Sequence, residues 1–200
     1  MKVTVMGLGL NGGGLASARF LAEEGADVTV TDLRTKEILE PSIKKLEGLP
    51  IRYVLGQHKE QDFTRADMVI KNPAVPLSSP YLKMAKRIET DISLFLSFSK
   101  NPILAVTGSK GKSTTVSALY HILRDVEPGT RLGGNITISP LIFIDELTSE
   151  APVILELSSW QLADLKGKGL LKPRISLISN IMHDHQNSYA NFQDYINDKL

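Results

Sequence analysis

The stretch Ala105-Val-Thr-Gly-Ser-Lys-Gly-Lys-Ser-Thr-Thr115 constrains the fold more than any other part of the chain. It follows the apolar run Pro102-Ile-Leu-Ala-Val-Thr107, which reads as a short buried strand. It precedes residues 114–124, whose apolar side chains at 116, 119, 122 and 123 suit a helix. Strand, glycine–lysine–serine loop and helix, in that order, wrap backbone N–H groups around an anion at a helix N-terminus. The loop residues that would face a nucleotide's phosphates are Gly108, Ser109, Lys110, Gly111, Lys112, Ser113 and Thr114. Lys112 can reach the terminal phosphates, and the Ser113 hydroxyl can sit on a magnesium ion. The spacing is Gly-x-x-Gly-Lys-Ser, shorter than the common Gly-x-x-x-x-Gly-Lys form, because Val106 stands where that form needs glycine. The plain alternative is a glycine–lysine turn that happens to precede a helix.

A second glycine loop opens the chain. Lys2-Val-Thr-Val-Met6 reads as a buried strand. Gly7-Leu-Gly9-Leu-Asn-Gly12 follows it, then a helix over 15–24 that stops at Gly25. Strands are expected at 27–31, 51–55 and 67–71, and an edge strand at 87–90. Helical stretches are expected at 42–46, 80–86 and 92–98, and the turn-rich Asn72–Pro80 separates the fourth strand from the next helix. After Lys100-Asn-Pro102 the pattern restarts, with apolar strand candidates at 141–144, 153–157 and 175–179 and a helix from Asn191 to Leu200. Alternating strands and helices give a parallel sheet with helices on both faces. The fold expected is α/β: a Rossmann-like domain at 1–95, then the N-terminal part of a phosphate-loop ATPase-type α/β domain at 96–200.

Composition sets the outer limits. The chain has 200 residues, 42% of them hydrophobic and 22% charged, an ordinary globular balance. A net charge of +1 offers no broad field for nucleic acid or a membrane surface, and neither is expected as a partner. With no cysteine, disulfide and thiolate chemistry are excluded, which fits a reducing compartment. No basic stretch with an apolar signal core begins the chain, and no apolar run approaches the ~18 residues of a membrane span. A cytoplasmic monomer is the expectation.

Other residues carry chemistry by position. Gly7-x-Gly9-x-x-Gly12 matches the dinucleotide fingerprint, and Asp32 stands twenty residues past Gly12 at the end of the next strand. Alone, this pattern reads as an NAD site, or as a Rossmann-like domain without its ligand. Glu156 ends an apolar strand and is a magnesium candidate, or else a solvated strand end. His183-Asp-His185 follows another strand, where imidazoles can ligate a metal, touch substrate or merely lie on the surface. Gly133-Gly-Asn135 reads by itself as a turn, and Lys199 as a solvated helix lysine.

Taken together and in order, these pieces resemble the Mur ligase family, in its MurD-type branch. The resemblance covers the whole chain. Its carriers are the short loop at 108–114, Gly133-Gly-Asn-Ile136, Leu155-Glu-Leu-Ser-Ser-Trp-Gln-Leu162, Asn180-Ile-Met-His-Asp-His185 and Tyr195-Ile-Asn-Asp-Lys199. The opening Gly-Leu-Gly loop and Lys71-Asn-Pro73 carry the branch. The chain departs from the family pattern at Asn11, Ala74, Thr137 and Asn187. The family usually has Ser or Thr at the first, Gly at the next two and Asp at the last.

The resemblance implies an ATP-dependent ligase of peptidoglycan precursor synthesis. It would join D-glutamate to UDP-N-acetylmuramoyl-L-alanine through an acyl phosphate. It implies ATP and magnesium as cofactors, with Lys112, His185 and a carbamylated Lys199 as catalytic residues. The metal ligands would be Ser113, Glu156, His185 and Lys199. Gly9, Leu10 and Asn11 would contact the diphosphate, and Asp32 and Arg34 the uridine. Asn72 would belong to the same site, and Asn135, Ser158 and Gln161 would position the muramoyl end. Family members continue through the rest of the ATPase domain and a third domain that binds the amino acid. The isolated 200-residue chain is therefore expected not to ligate. A non-catalytic UDP-sugar-binding module and an NAD-linked oxidoreductase are the competing readings. A ligase adding glutamate to a folate shares the ATPase motifs but leaves the first 95 residues unexplained.

Overall fold

The computed structural model describes residues 1–10, 12–182 and 191–199. The chain divides into two compact units, Met1–Leu94 and Phe95–Leu200.

In the first unit the order is β1 (Lys2–Met6), α1 (Gly13–Glu23), β2 (Asp27–Asp32), α2 (Lys36–Lys44), β3 (Ile51–Leu55), α3 (Glu60–Thr64), β4 (Met68–Lys71), β5 (Ile88–Glu89) and the start of α4 (Asp91–Phe98). The sheet order is β3-β2-β1-β4-β5, parallel throughout. Val5 of β1 stands level with Val30 on one side and Ile70 on the other, and its side chain is fully buried. Strands covered on both faces read as continuous β-branched runs, which is why Val-Thr-Val recurs in β1 and β2. Helix α1 lies close on this sheet through its small residues Gly14, Ala16, Ser17 and Ala18. A Cβ on Gly14 would stand 2.1 Å from the Gly7 carbonyl oxygen, so no larger residue fits. The helix ends at Gly25 (φ +76°), where the Gly25 and Ala26 N–H groups bond back to Ala22 and Leu21 in the paired Schellman pattern.

The second unit runs β6 (Ile103–Thr107), α5 (Lys112–Val126), β7 (Arg131–Gly134), β8 (Val153–Glu156), α6 (Ser159–Leu165), β9 (Ile175–Ile178) and α7 (Phe192–Lys199). Its sheet order is β7-β8-β6-β9, again all parallel. Val106, Val116 and Ile154 centre the core under α5, with Leu104, Leu119, Leu123 and Leu177 packed against them. On the other face, a cavity of about 500 Å³ lies among Ala105, Thr107, Leu162, Leu165, Ile178 and Lys199. Among the described residues no helix is long and apolar enough to cross a membrane.

Three local expectations are corrected. Residues 141–144 lie within a 3₁₀ helix, Pro140–Glu146, instead of a strand. A four-residue apolar run does not choose between the two by itself, and Pro140 opens the turn. The sheet edge is taken instead by Arg131–Gly134, whose glycines read only as a turn. The helix expected at 80–86 shrinks to one 3₁₀ turn, Leu82–Met84. Helix α2 begins at Lys36 and runs through Pro41. Proline there removes one hydrogen bond to Glu37, whose exposed position leaves that carbonyl to solvent.

Candidate functional site

Each unit presents a loop at the carboxyl end of its central strand, and parallel α/β sheets bind ligands at such loops. In the first unit, β1 and β4 are neighbours while β2 lies on the far side of β1, so the loops after β1 and β4 part there. Asn72 bridges them: its N–H donates to the Met6 carbonyl at 3.0 Å and its side-chain amide to Gly7 O at 3.3 Å. The Asn72 side-chain oxygen accepts from Ala74 N–H at 3.1 Å. Buried Lys71 donates from Nζ to Val75 O at 2.9 Å, fixing the same loop from below.

Asp32 is 4% exposed and gathers four donors. Arg34 supplies its backbone N–H (3.0 Å), Nε (3.0 Å) and Nη2 (2.9 Å), and Gly9 its N–H at 3.3 Å. A carboxylate has about four lone-pair sites, so Asp32 is saturated within its own chain. Burial works against its charge, but the bonds from Arg34 and Gly9 outweigh it and hold the carboxyl below its ordinary value. Asp32 thus ties the glycine loop to Arg34. Ser42 of α2 secures the other side of the loop, donating to Gly9 O at 2.7 Å. Leu10 is nearly half exposed beside it, and Asn11 lies outside the described residues.

Behind this wall stands His58, a residue the sequence reading did not single out. Its Nδ1 lies 2.7 Å from the Thr31 hydroxyl, and its ring meets Phe63 and Tyr81 edge-on at 5.7 and 5.0 Å. Burial lowers its pKa from 6.5, against a weaker upward pull from Asp32.

In the second unit, Gly108–Gly111 connects β6 to α5, and Ser113 and Thr114 lie exposed in the first turn of α5. Lys112 Nζ donates to the carbonyls of Gly108 (2.9 Å) and Ser109 (3.0 Å). The loop is braced from the segment after β9. Asn180 exchanges two side-chain bonds with the Lys110 backbone, accepting its N–H at 3.0 Å and donating to its carbonyl at 2.9 Å. Ser179 donates to the same carbonyl at 2.6 Å. Ser109 points inward: its hydroxyl meets Tyr195 OH at 2.7 Å and accepts from Met182 N–H at 2.9 Å. Its side chain is therefore committed to the fold, and its N–H donates to the Asn180 carbonyl at 2.9 Å.

Glu156 ends β8 level with Val106 of β6 and is 1% exposed. Asn135 donates to its Oε1 at 2.9 Å, while Oε2 is buried with no hydrogen bond. An orphaned carboxylate oxygen costs about 1–3 kcal/mol, which a cation would offset. Asn135 is carried by a turn in which Thr137 adopts φ +67°, the left-handed region. A β-branched residue is strained there, and this accounts physically for the glycine that the family resemblance implies at 137. Ser158 and Gln161 form a reciprocal cap on α6, with Gln161 N–H donating to Ser158 Oγ and Ser158 N–H to Gln161 Oε1.

Lys199 is 6% exposed, and its Nζ donates to Thr107 Oγ1 (3.2 Å) and Gly108 O (3.1 Å). It lies 4.8 Å over the Tyr195 ring. The structure thus gathers Lys112 and Lys199 on one carbonyl, a convergence invisible in the sequence. His183 and His185 lie outside the described residues. Among the described residues no group of three or more acidic, His or Cys side chains is disposed to hold a metal.

Two outcomes follow from this geometry. Thr137→Gly relieves the left-handed strain and stabilises the chain by about 1 kcal/mol, read as a higher urea midpoint. His58 is held neutral in the folded state, so the unfolded chain binds its proton more readily. Its contribution to stability is complete above about pH 6.5 and declines as pH falls through the depressed folded pKa. Urea titrations from pH 8 to 5 will show this loss, and His58→Asn will flatten it.

Residues 1–93 match the Mur ligase MurD-like N-terminal domain, and residues 106–200 the Mur ligase middle domain. The chain is 57% identical to the UDP-N-acetylmuramoylalanine–D-glutamate ligase of Borreliella burgdorferi, over all of this chain and 44% of that protein. It is 52% identical to the protein of that name from Treponema pallidum, over 98% of this chain and 40% of the other. It spans less than half the length of these relatives. A murein peptide ligase from Psychrobacter arcticus superposes with a TM-score of 0.57 over 100% of this chain and 46% of its own, at 18% identity, a likeness of fold alone. With both of its units matched to successive domains of one enzyme family, the chain belongs to the Mur ligases.

Proposed function

We propose that the chain is the nucleotide-binding portion of an ATP-dependent ligase that joins D-glutamate to UDP-N-acetylmuramoyl-L-alanine in peptidoglycan precursor synthesis. ATP would phosphorylate the alanine carboxylate, the D-glutamate amine would attack the acyl phosphate, and inorganic phosphate would leave. Such nucleotide substrates would fit a cytoplasmic location. The observation that carries the reading is Glu156, a buried carboxylate with one orphaned oxygen at a strand tip beside the glycine–lysine loop.

The loop N–H groups would receive the β- and γ-phosphates. Lys112 would exchange the Gly108 and Ser109 carbonyls for phosphate oxygens. Ser113 and Glu156 offer hard oxygen donors suited to magnesium, which when bound would neutralise charge on the transferring phosphoryl group. Lys199 as an ammonium is a donor and no metal ligand; carbamylation would make it an anionic oxygen ligand, and His185 would complete that second site. In the first unit, Gly9, Leu10 and Asn11 would face the diphosphate and Arg34 the uridine. Asp32 would act by holding Arg34 and Gly9, and Asn72 by bridging the two loops. Asn135, Ser158 and Gln161 would present the muramoyl end toward the ATP site.

Calorimetric titration with UDP-N-acetylmuramoyl-L-alanine and with UDP should give saturable binding, and NADH none. NADH binding without UDP binding would overturn the assignment of the first loop. Glu156→Gln separates function from stability. The amide keeps the Asn135 bond and replaces the orphaned oxygen by an equally unpaired NH2 group, so the urea midpoint without ligand should stay close to the parent's. The variant should lose the magnesium-dependent part of ATP affinity. A Glu156→Gln chain whose ATP affinity still responds fully to magnesium would remove this residue from the site.

A further inference from the structure

We infer that His58 is a positioning residue for nucleotide binding, acting through Thr31 on Gly7 and Asp32 at once; this rests on the first unit binding the UDP moiety. Thr31 is the residue at which the two sides of the pocket meet. Its carbonyl accepts the Gly7 N–H at 2.8 Å, the first bond of the glycine loop, and Asp32 follows it directly in β2. Its hydroxyl donates to the Gln57 carbonyl at 3.1 Å. The same Thr31 oxygen is hydrogen-bonded to His58 Nδ1 at 2.7 Å, the donor being set by the ring's tautomer.

The segment carrying His58 is tied to the same wall a second time. Gly56 N–H is shared between the carbonyls of Asp32 (2.9 Å) and Arg34 (3.0 Å). The ring itself is held edge-on by Phe63 and Tyr81, which contact each other at 5.0 Å. Tyr81 directly follows the turn-rich segment that begins at Asn72, and it packs with Val75 against the cluster of Met6, Phe63, Val69 and Leu82. His58 thus stands on a rigid aromatic seat and braces Thr31 toward the ligand side. The bond to Thr31 sets the tip of β2, and the aromatic contacts hold the ring that makes it.

The two contributions can be separated. His58→Phe keeps a ring against Phe63 and Tyr81 and loses the bond. His58→Asn keeps a donor within reach of Thr31 and loses the ring. Measured on the 200-residue chain, His58→Phe should weaken UDP binding about tenfold, one hydrogen bond's worth, with its melting temperature held. His58→Asn should melt lower yet bind UDP within about threefold of the parent. Thr31→Val should weaken UDP binding as His58→Phe does, and Thr31→Ser should restore it. Binding of ATP to the second unit serves as the internal control. If His58→Phe binds UDP like the parent, or if affinity merely follows melting temperature across the variants, the positioning role is wrong. If the parent chain binds ATP and not UDP, the underlying nucleotide assignment fails instead.

Discussion

Each unit hangs on one buried strand paired in parallel on both sides, β1 in the first and β6 in the second. Parallel pairing leaves no room for tight hairpins, so every connection crosses over through a helix or long loop and every strand points the same way. The loops with chemical content therefore collect at one edge of each sheet. The short loop of each central strand meets the N-terminus of the following helix, where unpaired N–H groups face outward. The glycines of both loops, the acid at the tip of β2 and the acid at the tip of β8 all derive their positions from this one constraint.

Neither loop is electrostatically idle. Asp32 is saturated by Arg34 and Gly9, and the carbonyls of Gly108 and Ser109 are taken by Lys112 and Lys199. These acceptors are satisfied from within the chain, so a phosphate that takes over their donors makes an exchange of hydrogen bonds and not a simple addition. Such exchanges have small net energies even when each bond is strong. Selectivity then comes from which atoms are held in place, and this puts weight on supporting residues such as Asn180, Tyr195, Ser42 and His58. Glu156 is the exception, since one of its buried oxygens has no hydrogen bond to exchange.

What the sequence made legible was local. β1, β2 and β6 are β-branched runs buried on both faces, and the two glycine loops are contiguous motifs, so their fold and their anion-facing character could be read directly. Asp32 and Arg34 lie two residues apart, and their proximity was visible too. Strand β7 was not legible, because Arg131-Leu-Gly-Gly134 has little intrinsic strand preference and owes its conformation to pairing with β8. The bracing residues were hidden for a related reason. Ser109 and Tyr195 are 86 positions apart, and Lys110 and Asn180 are 70 apart. A serine and a tyrosine at that separation carry no signal until the sheet brings β6 and β9 together. Ser158 and Gln161 show the converse: a motif recognised from the family is also an ordinary helix cap, and local physics explains its pairing on its own terms.

The register of β6 also bears on how the chain comes into being. Ile103 pairs with Val153, fifty positions later, and Leu104 with Ile175, farther still. At about 5–20 residues per second of synthesis, the ribosome needs roughly 3–10 s after making β6 before its nearer neighbour exists. Throughout that interval the strand that will centre the second sheet has both edges open, with only α5 of its later neighbours yet made. During synthesis, the segment most important to the finished sheet is thus the one longest at risk of association with other chains.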